Sequence, residues 1–244
     1  MQIRTHIGVS LDGIMGTPDG IPAWDAMPTF VSGKSHGYAE FLAQCEAIVI
    51  GRTLFDFAHS YWTDQGIWAW EGYRVYVLTS QPLPPNLHPD VIASEGDAAG
   101  LVRQLHAANL TRDVQVLGGA RTIRAFLELD AIDELGMVVL PVILGDGTPL
   151  FLPGSLARTD LQLVHQRAFP DGAVELVYTR AIAAEPERRR SPDNHCRRSQ
   201  ASLPHAPRAR TVHLKVTARA WHAFCCHFRQ CGNAKLAETR ADSG

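Results

Sequence analysis

Three short segments of this 244-residue chain carry residues whose types and order suit anion chemistry. In Val116-Leu117-Gly118-Gly119-Ala120-Arg121-Thr122, a β-branched run ends in two glycines and a helical pattern begins. Backbone N–H groups at such a helix start have no intrahelical acceptor and suit a phosphate, and Arg121 and Thr122 add side-chain donors. The alternative is a tight turn in which the glycines only solve a backbone problem. Ile48-Val49-Ile50-Gly51-Arg52-Thr53 repeats the arrangement, with Arg52 at the end of a buried run. Here the alternative is an arginine in a surface ion pair, worth little energetically. In Val77-Leu78-Thr79-Ser80-Gln81-Pro82, two hydroxyls and an amide follow a strand. They could read a ribose or its 2′-phosphate, or could serve as turn residues before the proline. Singly each segment is ambiguous; together they put three phosphate-compatible edges on one side of one sheet, as a dinucleotide needs.

The elements that must position these segments alternate strand and helix. Gln2–Ser10, Ala47–Ile50, Arg74–Leu78, Val91–Ala93, Val114–Leu117 and Glu134–Leu140 read as strands. Helical patterns fall at His36–Gln44, Thr53–His59, Asp97–Ala108 (with Asp97 placed to cap) and Ala120–Leu129. Gly13–Pro28, dense in glycine and proline, predicts a long loop, and Leu161–Phe169 and Ala173–Tyr178 flank a hairpin turn at Pro170-Asp171-Gly172. Repeated strand–helix–strand units predict an α/β fold: a mixed, mostly parallel central sheet between helical layers, closed by a C-terminal antiparallel hairpin. Such sheets bind ligands beyond the carboxyl ends of their strands.

Composition sets the limits. The chain is 45% hydrophobic and 20% charged, which excludes wholesale disorder. No apolar run approaches the roughly 20 residues that span a bilayer, and MQIRTHIGVSLDG lacks a secretory pattern. Cys45 is the one cysteine before residue 181, which excludes a disulfide scaffold there and predicts a reducing, cytoplasmic setting. Residues 1–180 carry 11 Lys and Arg against 20 Asp and Glu, while residues 181–244 carry 12 against 5. The charge therefore changes sign near Arg180. The chain divides into a folded unit over 1–180 and a basic tail over 181–244, rich in Pro and Arg and without apolar periodicity where it begins, expected to be disordered. The tail's His222, Cys225, Cys226, His227 and Cys231 match no standard zinc spacing, and no nucleic-acid-reading module accompanies its arginines.

Four motifs in order carry a family resemblance over residues 1–180: Gly8-Val9-Ser10-Leu11-Asp12-Gly13, Ile50-Gly51-Arg52-Thr53, Leu117-Gly118-Gly119-Ala120-Arg121, and Asp133-Glu134-Leu135 followed by Pro141-Val142-Ile143-Leu144-Gly145-Asp146-Gly147-Thr148-Pro149-Leu150-Phe151. In these the chain resembles the dihydrofolate-reductase-like superfamily, in particular bacterial members related to the reductase domain of the bifunctional riboflavin-biosynthesis deaminase-reductase. The resemblance implies an NADPH-binding fold with a sheet of about eight strands. It implies that Gly118, Gly119, Ala120, Arg121 and Thr122 hold the cofactor diphosphate, that Gly51, Arg52 and Thr53 contact phosphate, and that Thr79 and Ser80 face the adenosine 2′-phosphate. The family often inserts a residue between the arginine and threonine; here they are adjacent. Met15 and Gly16 would lie in the loop over the nicotinamide. Trp24 and Tyr38 would border the substrate pocket, Trp24 reading equally as a hydrophobic plug.

The implied reaction is hydride transfer to a C=O or C=N carbon of a small heterocycle, pteridine-like or riboflavin-precursor-like, in a homodimer. Asp12 is the acidic candidate near the nicotinamide, or else a brace for the loop. His36 and Tyr38 are further possible donors. Glu40 alone supplies a carboxylate on the first helix, off the family's position, which disfavours dihydrofolate itself. Phe55, Phe57, Tyr61, Trp62, Trp68 and Trp70 could line a pocket for a planar ring, or fill core. The competing functional reading is a nucleotide-binding sensor or scaffold without catalysis.

Overall fold

In the computed structural model, residues 1–27, 36–94, 96–152, 154 and 157–181 are described. The readings of the basic tail lie outside them. Five central strands are consecutive in no simple order: β1 (Ile3–Ser10), β3 (Cys45–Gly51), β4 (Arg74–Leu78), β6 (Asp113–Gly118) and β7 (Glu134–Leu140). With β5 (Val91–Ala93), β9 (Leu161–Ala168) and β10 (Val174–Arg180) they form one sheet in the order β5-β4-β3-β6-β1-β7-β10-β9. The strands from β5 to β7 pair in parallel, and β10 runs antiparallel to both β7 and β9. The mixed sheet with its terminal hairpin is as expected, with eight strands.

Alternation along β3 builds the layers. Ile48 and Ile50 face one core with α1 (Tyr38–Leu42) and α2 (Arg52–Gln65), through Phe41, Leu42 and Phe55, and with Trp70 from the segment after α2. Ala47 and Val49 face the other with α3 (Ala98–Ala107) and α4 (Ala120–Glu128), through Leu101, Leu105, Ile123 and Phe126. All four of these β3 residues are fully buried, which is why the segment reads as a continuous apolar run rather than an alternating one. Phe55, Tyr61, Trp68 and Trp70 are buried in the first core, so this part of the aromatic set is core. Among the described residues no helix is long and apolar enough to cross a membrane.

Two expectations need correction. α2 extends past His59 to Gln65 and stops at Gly66, whose φ of 68° is the left-handed closure a glycine provides. Its last turn carries Thr63, Asp64 and Gln65 and shows no apolar period. The Gly13–Pro28 segment is structured. It contains β2 (Ile14–Gly16), paired with the distant β8 (Thr148–Pro149), and a 3-10 turn at Ala23–Ala26. Both depend on partners remote in sequence, which local pattern cannot reveal.

Candidate functional site

The register of the sheet brings the three glycine and hydroxyl segments level. Ile50 pairs with Gly118 across β3 and β6, and Gly51 pairs with Leu78 across β3 and β4. The junctions that start α2 and α4, and the Thr79-Ser80 turn, therefore share one edge at the carboxyl ends of neighbouring strands. The two helix starts touch. A Cβ built on Gly51 would stand 2.5 Å from Thr122 Oγ1 and 3.8 Å from the Gly118 carbonyl oxygen. Gly51 is thus required by close packing of β3 on α4.

Neither helix closes its own amino end. α2 and α4 have glycine at the cap position, no side-chain cap and no acidic residue in the first turn. At α4 the Gly119 carbonyl accepts from Thr122 N (2.9 Å) and Ile123 N (3.2 Å). The Ala120 and Arg121 N–H groups remain at the helix's open end. A Cβ on Gly119 would meet nothing within 4 Å. Gly118, with φ 126°, is joined to it by a cis peptide. α3 differs: Asp97 Oδ1 accepts from Gly100 N at 2.9 Å. The sequence thus caps one helix and leaves two side by side with positive ends open, which is the electrostatics a diphosphate needs.

Around this edge the expected site residues divide. Arg52 donates to Asp56 Oδ1 (2.6 Å) and to the carbonyl of Pro82 (2.9 Å), so it ties the first turn of α2 to the loop after β4. Thr79 Oγ1 accepts from Gln81 N at 3.1 Å, a turn-forming bond. Thr53, Ser80 and Arg121 are exposed. Thr122 is buried, its hydroxyl turned into the Gly51 contact, so its side chain packs the junction rather than facing a ligand. Tyr38 is corrected in the same way: its hydroxyl donates to Gln115 Oε1 (3.1 Å) inside the core. Gly16 makes room for the chain itself, since a Cβ there would lie 2.8 Å from the Ile21 carbonyl oxygen. Met15 reaches the site: its methyl is 3.6 Å from where a Cβ of Gly118 would be. Trp24 lies over β1, its Cε3 2.6 Å from a Cβ built on Gly8.

Of the two roles open to Asp12, the geometry gives it the brace. Its carboxylate accepts from Ser10 Oγ (2.5 Å), Leu144 N (3.2 Å) and Gly145 N (2.8 Å). The Ser10 hydroxyl and these amides hold its pKa down at about 2, so it carries no proton to give at neutral pH. His36 is engaged as well, its Nε2 2.8 Å from Asp171 Oδ2. Asp25, beside Trp24, was not visible to sequence reasoning: a lone aspartate in a loop forms no motif. Burial pushes its carboxyl up to about 6.

The family model described as the RibD C-terminal domain matches residues 2–174. Two uncharacterized proteins of Bacillus subtilis (strain 168) are similar: YwjB, 29% identical over 176 residues (72% of this chain, 96% of YwjB), and YyaP, 28% over 185 residues (72% and 94%). Among solved structures, a putative riboflavin biosynthesis protein from Shewanella sp. PV-4 superposes with a TM-score of 0.62 at 24% identity, covering 75% of this chain and all of that one. The Thermotoga maritima diaminohydroxyphosphoribosylaminopyrimidine deaminase/5-amino-6-(5-phosphoribosylamino)uracil reductase gives 0.55 at 15%, covering 74% of this chain and 56% of its own. At such identities the likeness establishes the fold.

Proposed function

The chain belongs to the RibD C-terminal domain family, and on that footing we propose that it is an NADPH-dependent reductase acting on a C=O or C=N group of a small heterocyclic substrate. The observation that carries this reading is the pair of uncapped helix starts meeting at Gly51 and Thr122, with the open space over Gly119 beside them. The residues fit the cofactor: the Ala120 and Arg121 amides and the α2 start would hold its diphosphate, and Thr79, Ser80 and Arg52 would read its 2′-phosphate. When bound, the cofactor supplies the hydride. Met15 would orient the ring against the Gly-Gly turn, and Trp24 would wall the substrate side and exclude water. The Thermotoga protein's activity names the first acceptor to try, 5-amino-6-(5-phosphoribosylamino)uracil; dihydropteridines are the second class. The reading includes a homodimer and a cytoplasmic setting, the latter in keeping with the buried Cys45, which is a thiol and not part of a disulfide.

Calorimetry of NADPH against NADH on the purified chain tests it. Micromolar NADPH binding and much weaker NADH binding are expected. No binding of either by the folded protein would remove the cofactor assignment.

A further inference from the structure

Asp25 is the unexplained carboxylate of this fold. It sits in the 3-10 turn that ends the glycine-rich loop. Its Oδ2 is buried and has no hydrogen-bond partner among the described residues. Such a group is unfavourable to bury and calls for a reason. Its position supplies one. The loop is pinned by the bridge between Gly16 and Pro22. One end of the loop puts the Met15 methyl against the Gly-Gly turn, and the other lays Trp24 on Gly8, directly before Asp25.

Among the described residues packed on this turn, none neutralises the carboxyl. Of the strands packed on this turn, β2 (Ile14, Met15, Gly16) has no titratable side chain. On β1, Arg4 is held by Glu134 (2.6 Å) and Asp113 (3.1 Å), and His6 Nδ1 lies 3.4 Å from Glu175. The core packed against Ala23 and Met27 is apolar. Burial alone raises the carboxyl to about 6, against about 2 for Asp12.

We propose that Asp25 is the proton donor of the reductase site. This rests on the reductase reading. As hydride from NADPH adds to the acceptor carbon, the C=O or C=N π pair moves to the heteroatom. That atom takes the proton from the Asp25 carboxyl, whose O–H bond breaks, and the carboxylate is reprotonated by water. The donor role has a cost in stability. An aspartate with a raised folded-state pKa favours the fold least above that pKa, so Asp25→Asn raises Tm at pH 7.5 and flattens the fall of Tm between pH 4 and pH 6.

The test is a carboxyl titration by carbon-13 NMR on the full chain, with Asp25 assigned by Asp25→Asn. The expected midpoint is near 6 without cofactor. NADP⁺, whose ring is positive, should lower it by about 1 unit relative to NADPH, whose ring is neutral. A midpoint in the ordinary carboxylate range, or one equal with NADP⁺ and NADPH, overturns the proposal. With 5-amino-6-(5-phosphoribosylamino)uracil as acceptor, Asp25→Asn should lower kcat by about 100-fold and leave the KM for NADPH unchanged; an unchanged kcat overturns it too. Calorimetry separates the two readings. If the wild-type chain binds no NADPH, the reductase reading and the donor role fall together. Binding with an unmoved midpoint removes the donor role alone.

Discussion

Gly119 and Gly51 stand at the same sheet edge for opposite reasons, and two substitutions separate them. Gly119 faces open space with φ −69°, a conformation any residue adopts. Gly119→Asp should therefore leave Tm within a few degrees of wild type and abolish NADPH binding, by bulk and by charge against the phosphates; unchanged affinity in calorimetry would contradict the site. Gly51→Ala puts a methyl 2.5 Å from Thr122 Oγ1. It should cost about 1–3 kcal/mol in denaturant unfolding, and adding Thr122→Ala should recover part of that loss. Asp12 gives a third test. Its folded-state pKa, about 2, lies below the ordinary 3.8. Its stabilisation is present above pH 4 and lost as pH falls through 2. Asp12→Asn should thus have the lower Tm at pH 6, and the two melting curves should converge near pH 2. Asp12 was legible as a residue of interest, but its two roles could be told apart only by Leu144 and Gly145, more than 130 positions away.

At the scale of the element, what distinguishes the site is the difference between helix starts. α3 closes its own first turn with Asp97, a cap plain in the sequence, and its start takes no part in the edge formed by Gly51, Leu78 and Gly118. Asp97→Ala should cost about 1 kcal/mol in chemical denaturation and leave NADPH affinity unchanged. A coupled loss of affinity would show that the sheet edge is not set locally. The sequence announces the strands leading to these helices because β3, β4 and β6 are buried apolar runs that end in glycine or hydroxyl residues. It also places the Gly-Gly turn. It could not show that Thr122, which reads as a ligand donor at a helix start, is consumed by packing on Gly51, since that depends on how closely β3 approaches α4. The β2–β8 ribbon and the turn that carries Asp25 were hidden for the same reason: each is held by a contact between distant segments.

At the scale of the molecule, the C-terminal hairpin puts β9 at the open edge of the sheet. β9 is exposed along its whole length, with Leu161 and Leu163 each 42% and Val164 50% accessible. Leu161 also borders a cavity of about 190 Å³ with Leu127, Phe151 and Tyr178. An edge strand of eight residues that exposes Leu161, Leu163 and Val164 to water invites pairing. The homodimer proposed above would use this edge. Three strands, β1, β7 and β10, separate β9 from the Gly118 edge. Association and cofactor binding should therefore come apart under mutation. The double substitution Leu161→Asp with Leu163→Asp should convert a dimer to a monomer in sedimentation equilibrium and leave NADPH affinity within about twofold. A dimer that survives both aspartates would move the interface elsewhere. A monomer that no longer binds NADPH would mean that the second copy completes the site, an arrangement in which the uncapped starts of α2 and α4 do not suffice to hold a diphosphate.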